Sequence, residues 1–220
     1  ENQQLLSWGI GAGTVADMLR EVVQLDTNRY KIILLSNTLE YREDFNVAEE
    51  VLRYNFANPD GNLEVSLRFR ENHLSRYQLE SEVTPFLKEN PPSSNLEIAK
   101  AALNRYRNYS KDAYLTEMRT LLESVNSTCT NATTTTTGNL KLQITSYGSS
   151  TEYLWMYTEK GIDYSAKSLR MTFNNGVLTA LTDGYFLFTI SNTNLNINTD
   201  KAETIAKNHV ETMPRTKNGT

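Results

Sequence analysis

The side chains best suited to chemistry in this chain are few and scattered. There are two histidines, His73 and His209, and a single cysteine, Cys129. A zinc site needs His or Cys in pairs at ligand spacing, and neither histidine has such a neighbour in sequence. His73 lies between Asn72 and Leu74 near an expected hairpin tip, and His209 lies near the end of the last expected helix. Both read as surface histidines, the second well placed against a helix C-terminal dipole when protonated. Cys129 stands in a polar stretch with no adjacent base or cation to lower its pKa, so no catalytic thiolate is expected.

Other lookalikes fail on context. Tyr147-Gly-Ser-Ser150 lacks the second glycine and the strand-to-helix setting of a nucleophile elbow. Gly9-Ile-Gly11-Ala-Gly13 resembles a phosphate cradle, but no Lys-Ser/Thr follows it and no buried strand precedes it. A flexible lead-in is expected there. Glu80 with Glu82, or Glu40 with Glu43 and Asp44, are of the type that works as an acid and base pair, yet nothing in the sequence sets two of them face to face. Arg105-Tyr-Arg-Asn-Tyr109 could stack on sugars or bases; at helical spacing Tyr106 is expected to pack on a sheet, with Arg105 and Arg107 solvated. No catalytic, cofactor-binding or metal-binding residue is assigned, and the chain is read as a non-enzyme without a cofactor.

Composition agrees with an ordinary globular protein: 39% hydrophobic, 22% charged, ten glycines in 220 residues. The net charge of −4 argues against a nucleic-acid partner. No apolar run is long enough for a membrane span. The first residue is Glu1 rather than Met, which suggests a processed form or removed flanks, including a lost signal peptide or membrane anchor. One cysteine excludes an internal disulfide framework. Asn108-Tyr-Ser, Asn126-Ser-Thr, Asn131-Ala-Thr and Asn218-Gly-Thr are candidate glycosylation sites. The clustering of Asn126 and Asn131 around the threonine run Thr133 to Thr137 favours an extracellular or cell-surface location.

These residues are carried on alternating and helical patterns. Thr14 is placed to cap a helix through about Val23, with Asp17 reaching back and Val15, Met18, Leu19 and Val22 as its apolar stripe. Tyr30 to Leu35 reads as a short buried strand. From Val51 to Leu79 the alternation is clean. Leu52, Tyr54 and Phe56, then Leu63, Val65, Leu67 and Phe69, face one way, while Glu64, Ser66, Arg68 and Arg70 face the other. Asn58-Pro-Asp-Gly61 is the turn between them, and Leu74 to Leu79 the next strand. Ser94 and Glu97 form an expected capping box before a helix carrying Leu96, Ala99, Ala102, Leu103 and Tyr106. Asn108-Tyr-Ser110 interrupts, and a second helix carries Tyr114, Leu115, Met118, Leu121, Leu122 and Val125. Cys129 to Gly138 reads as a low-complexity loop. Four strands follow around Lys141–Ser146, Leu154–Tyr157, Leu169–Phe173 and Val177–Leu181. Asn174-Asn175-Gly176 predicts a tight hairpin turn, because an Asn-Gly pair suits two positive φ angles. Thr199 to Val210 reads as a capped helix.

Lys31–Ser36 echoes Lys141–Ser146, and Leu67-Arg-Phe69 with Leu74-Ser75 echoes Met171-Thr-Phe173 with Leu178-Thr179. The expected fold is therefore α+β: two related units, each a curved antiparallel meander with helices on one face. The division is residues 1–90, a helix plus sheet; 91–138, helices and the threonine stretch; and 139–220, a sheet plus helix. The segment from Leu140 to Val210, with Ile197-Asn-Thr-Asp-Lys-Ala-Glu-Thr-Ile-Ala206 as its helix start, resembles the PepSY-type module (PepSY/cystatin-like). Leu25-Asp-Thr-Asn-Arg-Tyr30, Ala102–Tyr109, Tyr114–Met118 and Trp155-Met-Tyr157 are similar to uncharacterised archaeal surface or secreted proteins. Those resemblances imply a secreted or cell-envelope context, with a signal peptide and often a carboxy-terminal anchor. PepSY-type modules also occur as pro-region parts beside secreted proteases, which leaves a protease-modulating, pro-region-like protein as a less favoured reading.

The functional expectation is a non-catalytic protein- or peptide-binding module acting through open sheet edges. Its partner would be a protein, a peptide or a cell-envelope component. The alternative is a subunit of a surface layer or filament, self-associating through residues 1–13, where Leu5, Leu6, Trp8 and Ile10 seek a groove. A carboxylate hydrolase is the third reading.

Overall fold

The computed structural model describes residues 12–42, 47–125 and 132–190, together with helical residues 200, 201, 203, 204 and 207. Two compact units divide the chain, Glu1–Phe188 and Thr189–Thr220. In the second, Thr204 Oγ1 donates to the Asp200 carbonyl at 2.8 Å and Lys207 pairs with Glu203 at 3.0 Å, one helical turn apart.

The first unit is an antiparallel sheet covered on one face by helices. Its strands are β1 (Lys31–Arg42), β2 (Val47–Asn58), β3 (Gly61–Arg70), β4 (His73–Ser81), β5 (Ala132–Thr137), β6 (Leu140–Tyr147), β7 (Ser150–Glu159), β8 (Ile162–Asn174) and β9 (Val177–Asp183). Among the described residues they run side by side as β1-β2-β3-β4-β9-β8-β7-β6-β5. The helices are α1 (Ala12–Asp17), continued by a π-helical turn at Met18–Val22, then α2 (Asn95–Ser110) and α3 (Tyr114–Glu123).

Period-two patterning places Leu52, Tyr54, Phe56, Leu63, Val65, Leu67 and Phe69 on the covered face, all buried as the alternation requires. The helix stripes meet them: Val15, Met18, Leu19 and Val22 from the first helical stretch, Ala102, Leu103 and Tyr106 from α2, and Leu115, Met118 and Leu122 from α3. One continuous core results. Trp155 is fully buried in it, and its Nε1 donates to the Met118 carbonyl at 3.2 Å, fastening α3 to β7. The turns follow local chemistry. Asn58 Oδ1 accepts from the amides of Asp60 and Gly61 at 2.8 and 3.0 Å, and Asn175 and Gly176 take φ of 47° and 81° as the Asn-Gly signal predicts.

Several expectations change. The helix starting at Ala12 already contains Thr14, so Thr14 is not its cap; its carbonyl instead accepts from the Tyr109 hydroxyl at 3.3 Å. Ser94 does occupy the N-cap position of α2, but its side chain makes no cap bond, and Glu97 pairs forward with Lys100 at 2.9 Å. That helix continues through Asn108-Tyr-Ser110 and stops at Lys111, whose φ is 64°. The threonine stretch is partly a strand. Thr133 to Thr137 are β-branched, and that stiffness suits a pleated edge better than a loop. The strand expected as short and buried at Tyr30–Leu35 is a twelve-residue edge strand, largely solvent-facing, with a bulge between Leu34 and Ser36. Segments 30–80 and 139–190 are both antiparallel meanders, but they are halves of one sheet. The carboxy-terminal helix is described only in part, and Cys129 and His209 lie outside the described residues.

The two meanders join through three pairs only, Arg76–Thr182, Tyr77–Leu181 and Gln78–Ala180. Both sides of this joint carry the same irregularity. In β3–β4, Arg68 opposes Arg76 and Phe69 opposes Leu74, leaving Ser75 extra, and Ser75 Oγ donates to the Arg68 carbonyl at 3.3 Å. In β8–β9, Thr172 opposes Ala180 and Phe173 opposes Leu178, leaving Thr179 extra, and Thr179 Oγ1 donates to the Thr172 carbonyl at 3.3 Å. The buried Tyr77 hydroxyl crosses the joint to the Leu178 carbonyl at 3.2 Å. Replacing Tyr77→Phe is expected to destabilise the protein by about 1–2 kcal/mol through the lost bond, and Tyr77→Ala by about 3–5 kcal/mol through the added cavity. Urea unfolding of the two variants checks both values.

Candidate functional site

Polar groups converge at the end of the covered face where β9 leaves the sheet. Leu181 and Asp183 point the same way along β9, so the alternation that buries the leucine also buries the acid, leaving Asp183 1% exposed. Its Oδ2 accepts from the Tyr106 hydroxyl of α2 at 2.8 Å and the Tyr114 hydroxyl of α3 at 2.7 Å. Its Oδ1 accepts from the Tyr185 amide at 3.0 Å. The Tyr114 hydroxyl also lies 3.3 Å from Asp112 Oδ2, to which Ser110 Oγ donates, and Asp112 Oδ1 lies 3.3 Å from His73 Nε2. The His73 ring stacks on Phe186 at 4.8 Å, and the Tyr114 ring lies 4.8 Å from that of Tyr185. A hydrogen-bonded chain thus runs from a half-exposed histidine to a fully buried acid.

Burial pushes the Asp183 carboxyl up to about 6, although the two tyrosine bonds and the Tyr185 amide pull it down. Desolvation, followed by the nearby Asp183 charge, holds Tyr106 and Tyr114 well above the usual phenol range, so both remain protonated donors. Lys167 donates to the Tyr185 carbonyl at 3.0 Å and to the Phe188 carbonyl, and sits 4.2 Å over the Tyr185 ring. Its desolvation lowers its pKa.

Chemically this network can hold a proton. It does not build an activated nucleophile, because Asp112 stands between Ser110 and His73, whereas base-activated serine chemistry needs the imidazole next to the hydroxyl. Asp183 spends its oxygens on protein donors that tie α2, α3 and the Tyr185–Leu187 turn to the sheet. His73 is therefore not the isolated surface residue expected: its partner comes from 39 residues away. Arg105 is likewise not simply solvated, since its Nε donates to the Val22 carbonyl at 2.9 Å. Tyr106 packs under the sheet as expected.

The other candidates stay apart. Glu40 is engaged by Arg53 at 2.8 Å and Arg68 at 2.9 Å, and its pKa is lowered chiefly by the Arg53 bond. Glu80 accepts from Gln78 at 2.6 Å, and Glu82 is exposed. Glu43, Asp44, Gly9 and Gly11 lie outside the described residues, as do Asn126, Asn131 and Asn218; Asn108 is exposed on α2. No group of three or more metal-type ligands occurs among the described residues.

A further accessible feature is a sheet edge. β1 pairs with β2 on one side, and over Lys31–Leu39 no strand lies on its other side among the described residues. Ile33, Leu35, Leu39 and Tyr41 are exposed along it, Leu35 at 55% and Leu39 at 77%. Native sheets usually blunt such edges with charges, proline or short length. At about 40 Å this one is long, and its central residues carry no charge.

No family model matches the chain, and no curated protein matches it. Among solved structures it is similar to the Bacillus megaterium YpeB C-terminal domain, at 13% identity and a TM-score of 0.41, over 87% of this chain and 72% of that one. A likeness at that level carries no functional argument, which leaves the chain's own geometry.

Asp183 makes stability depend on pH with a defined sign. Its folded pKa is raised, so between about pH 4 and 6 the native state keeps a proton that the unfolded chain has released, and stability falls as pH rises through that window. Relative to Asp183→Asn, the native protein is expected to lose roughly 3 kcal/mol between pH 4 and 7. Denaturant unfolding of both proteins across that range measures the difference.

Proposed function

We propose that this chain is a non-catalytic extracytoplasmic or cell-surface protein, PepSY-like and akin to the archaeal surface proteins it resembles, that binds a protein or peptide partner along β1. The observation that carries this reading is the open, apolar outer edge of β1, where an added strand would gain backbone hydrogen bonds and cover Leu35 and Leu39. The non-catalytic reading is supported by the Asp183 network, whose polar atoms are turned on one another. The extracytoplasmic location rests on the sequons, of which Asn108 is exposed.

The same reading takes the two meanders as related units. Its support is the shared bulge at Ser75 and Thr179 and the symmetric pairing about Tyr77 and Leu181. It rests also on matching rows across the sheet: Leu34, Tyr54, Val65 and Leu79 in one half, Leu142, Trp155, Leu169 and Asp183 in the other. That register equates Leu34 with Leu142, two residues away from the alignment of Lys31 with Lys141.

A second reading is a subunit of a layer or filament. It is favoured by the two edges, β1 and β5, that are open among the described residues and that a head-to-tail assembly would join.

Selection of displayed peptides against the chain tests the first reading. Selected peptides are expected to slow amide exchange in β1 and to bind about tenfold or more weakly to a Leu35→Lys/Leu39→Lys variant with unchanged melting behaviour, since lysines on an edge oppose strand addition. Peptides that protect only the opposite, charged sheet face would overturn it. Concentration-dependent assembly lost in the same variant would favour the second reading.

A further inference from the structure

The edge of β1 has a counterpart inside the molecule that is already filled. If the two meanders are related units, as proposed above, Leu34 and Leu142 occupy the same place in their rows. Beside Leu142 stands Thr135 of β5, with Thr133 beside Ile144 and Thr137 beside Leu140. Beside Leu34 no residue stands among those described. Among the described residues the first meander has no strand corresponding to β5: from the helix to β1 the chain passes through Val23–Tyr30, which holds the Thr27–Arg29 turn instead.

The filled position tells what the empty one accepts. β5 is antiparallel to its neighbour, uncharged and almost wholly threonine; Thr133 and Thr135 are partly buried while Thr134 and Thr136 are exposed. Beside β1 the covered-face neighbours are Ile32 and Leu34, both packed on the core; beyond the bulge that face continues with Asn37, whose Nδ2 donates to Glu50 Oε1 at 3.1 Å, and Leu39. A side chain set against these residues is apolar or β-branched, and a charged one there would lose hydration without a partner.

We infer that the outer edge of β1 at Ile32–Asn37 is a docking slot for an extended, uncharged segment of a partner protein. The segment runs antiparallel to β1 and carries β-branched or apolar side chains at every second position. A second copy of this chain fits worse: full-length antiparallel pairing of two β1 strands sets Lys31 of each against Arg42 of the other, like charges directly opposite. This inference rests on the strand-addition reading and specifies its site, orientation and ligand chemistry.

The probe is the acetylated hexapeptide Ala-Thr-Val-Thr-Val-Thr, patterned on β5, titrated into the isotopically labelled full chain. Amide shifts and slowed exchange are expected at Lys31–Asn37. A spin label on the peptide's amino end should broaden resonances near Asn37, and one on its carboxyl end those near Lys31. Proline in place of the central threonine should weaken binding about tenfold, as expected for one lost ladder bond, and a peptide with lysine at alternate positions should not bind. Absence of β1 perturbation by the probe, or perturbation confined to β5, overturns the inference. So does a parallel orientation, or a β1-dependent dimer in sedimentation that the probe does not dissociate. The wider reading fails separately, if peptides selected without bias also avoid β1.

Discussion

Three residue pairs at the centre of the sheet bear on everything else in the molecule. Where β4 meets β9, Arg76–Thr182, Tyr77–Leu181 and Gln78–Ala180 turn two meanders into one sheet, and the Tyr77 hydroxyl closes the joint on the Leu178 carbonyl. Ser75 and Thr179 flank this short ladder as bulge residues, which increase local twist and change which side chains face inward. Because the joint lies in the middle, both first strands of the meanders are driven to the outside. The second meander then adds β5 beyond β6, while among the described residues nothing is added beyond β1.

The helices respond to the same constraint. One continuous covered face demands one continuous helical layer, and α1, α2 and α3 share a single core across both halves. Asp183 falls on that face because the bulge at Thr179 resets the parity of β9, so Leu181 and then Asp183 point inward. A buried acid must be satisfied, and Tyr106, Tyr114 and the Tyr185 amide do so from three different elements. The network secures the helical layer at the end where β9 leaves the sheet.

Part of this is legible in the residues. The clean alternation from Leu52 to Phe69, the Asn175-Gly176 turn and the helix stripes of α2 and α3 correspond to local rules of period and turn chemistry, and they hold. Even the bulges leave a trace: the apolar steps Leu74, Tyr77, Leu79 and the steps Leu178, Leu181, Asp183 each contain a stride of three where a strand should stride by two. An acid on the buried parity is the available signal for Asp183, and the search for paired acids, thiols and imidazoles passes over it. His73 reads as solitary because Asp112 is remote in sequence, and the threonine run reads as a loop because low complexity masks its β-branched propensity.

The sequence by itself determined the strands between Val51 and Leu79 and between Lys141 and Leu181, the helices α2 and α3, and the apolar face of each, because hydrophobic periodicity and turn residues act within a few positions. Only the tertiary structure decided that the meanders share one sheet, that β1 lies on its outside, and that His73, Asp112, Tyr114 and Asp183 meet. Those outcomes depend on register between strands far apart in the chain, and no local pattern encodes which edges will find each other.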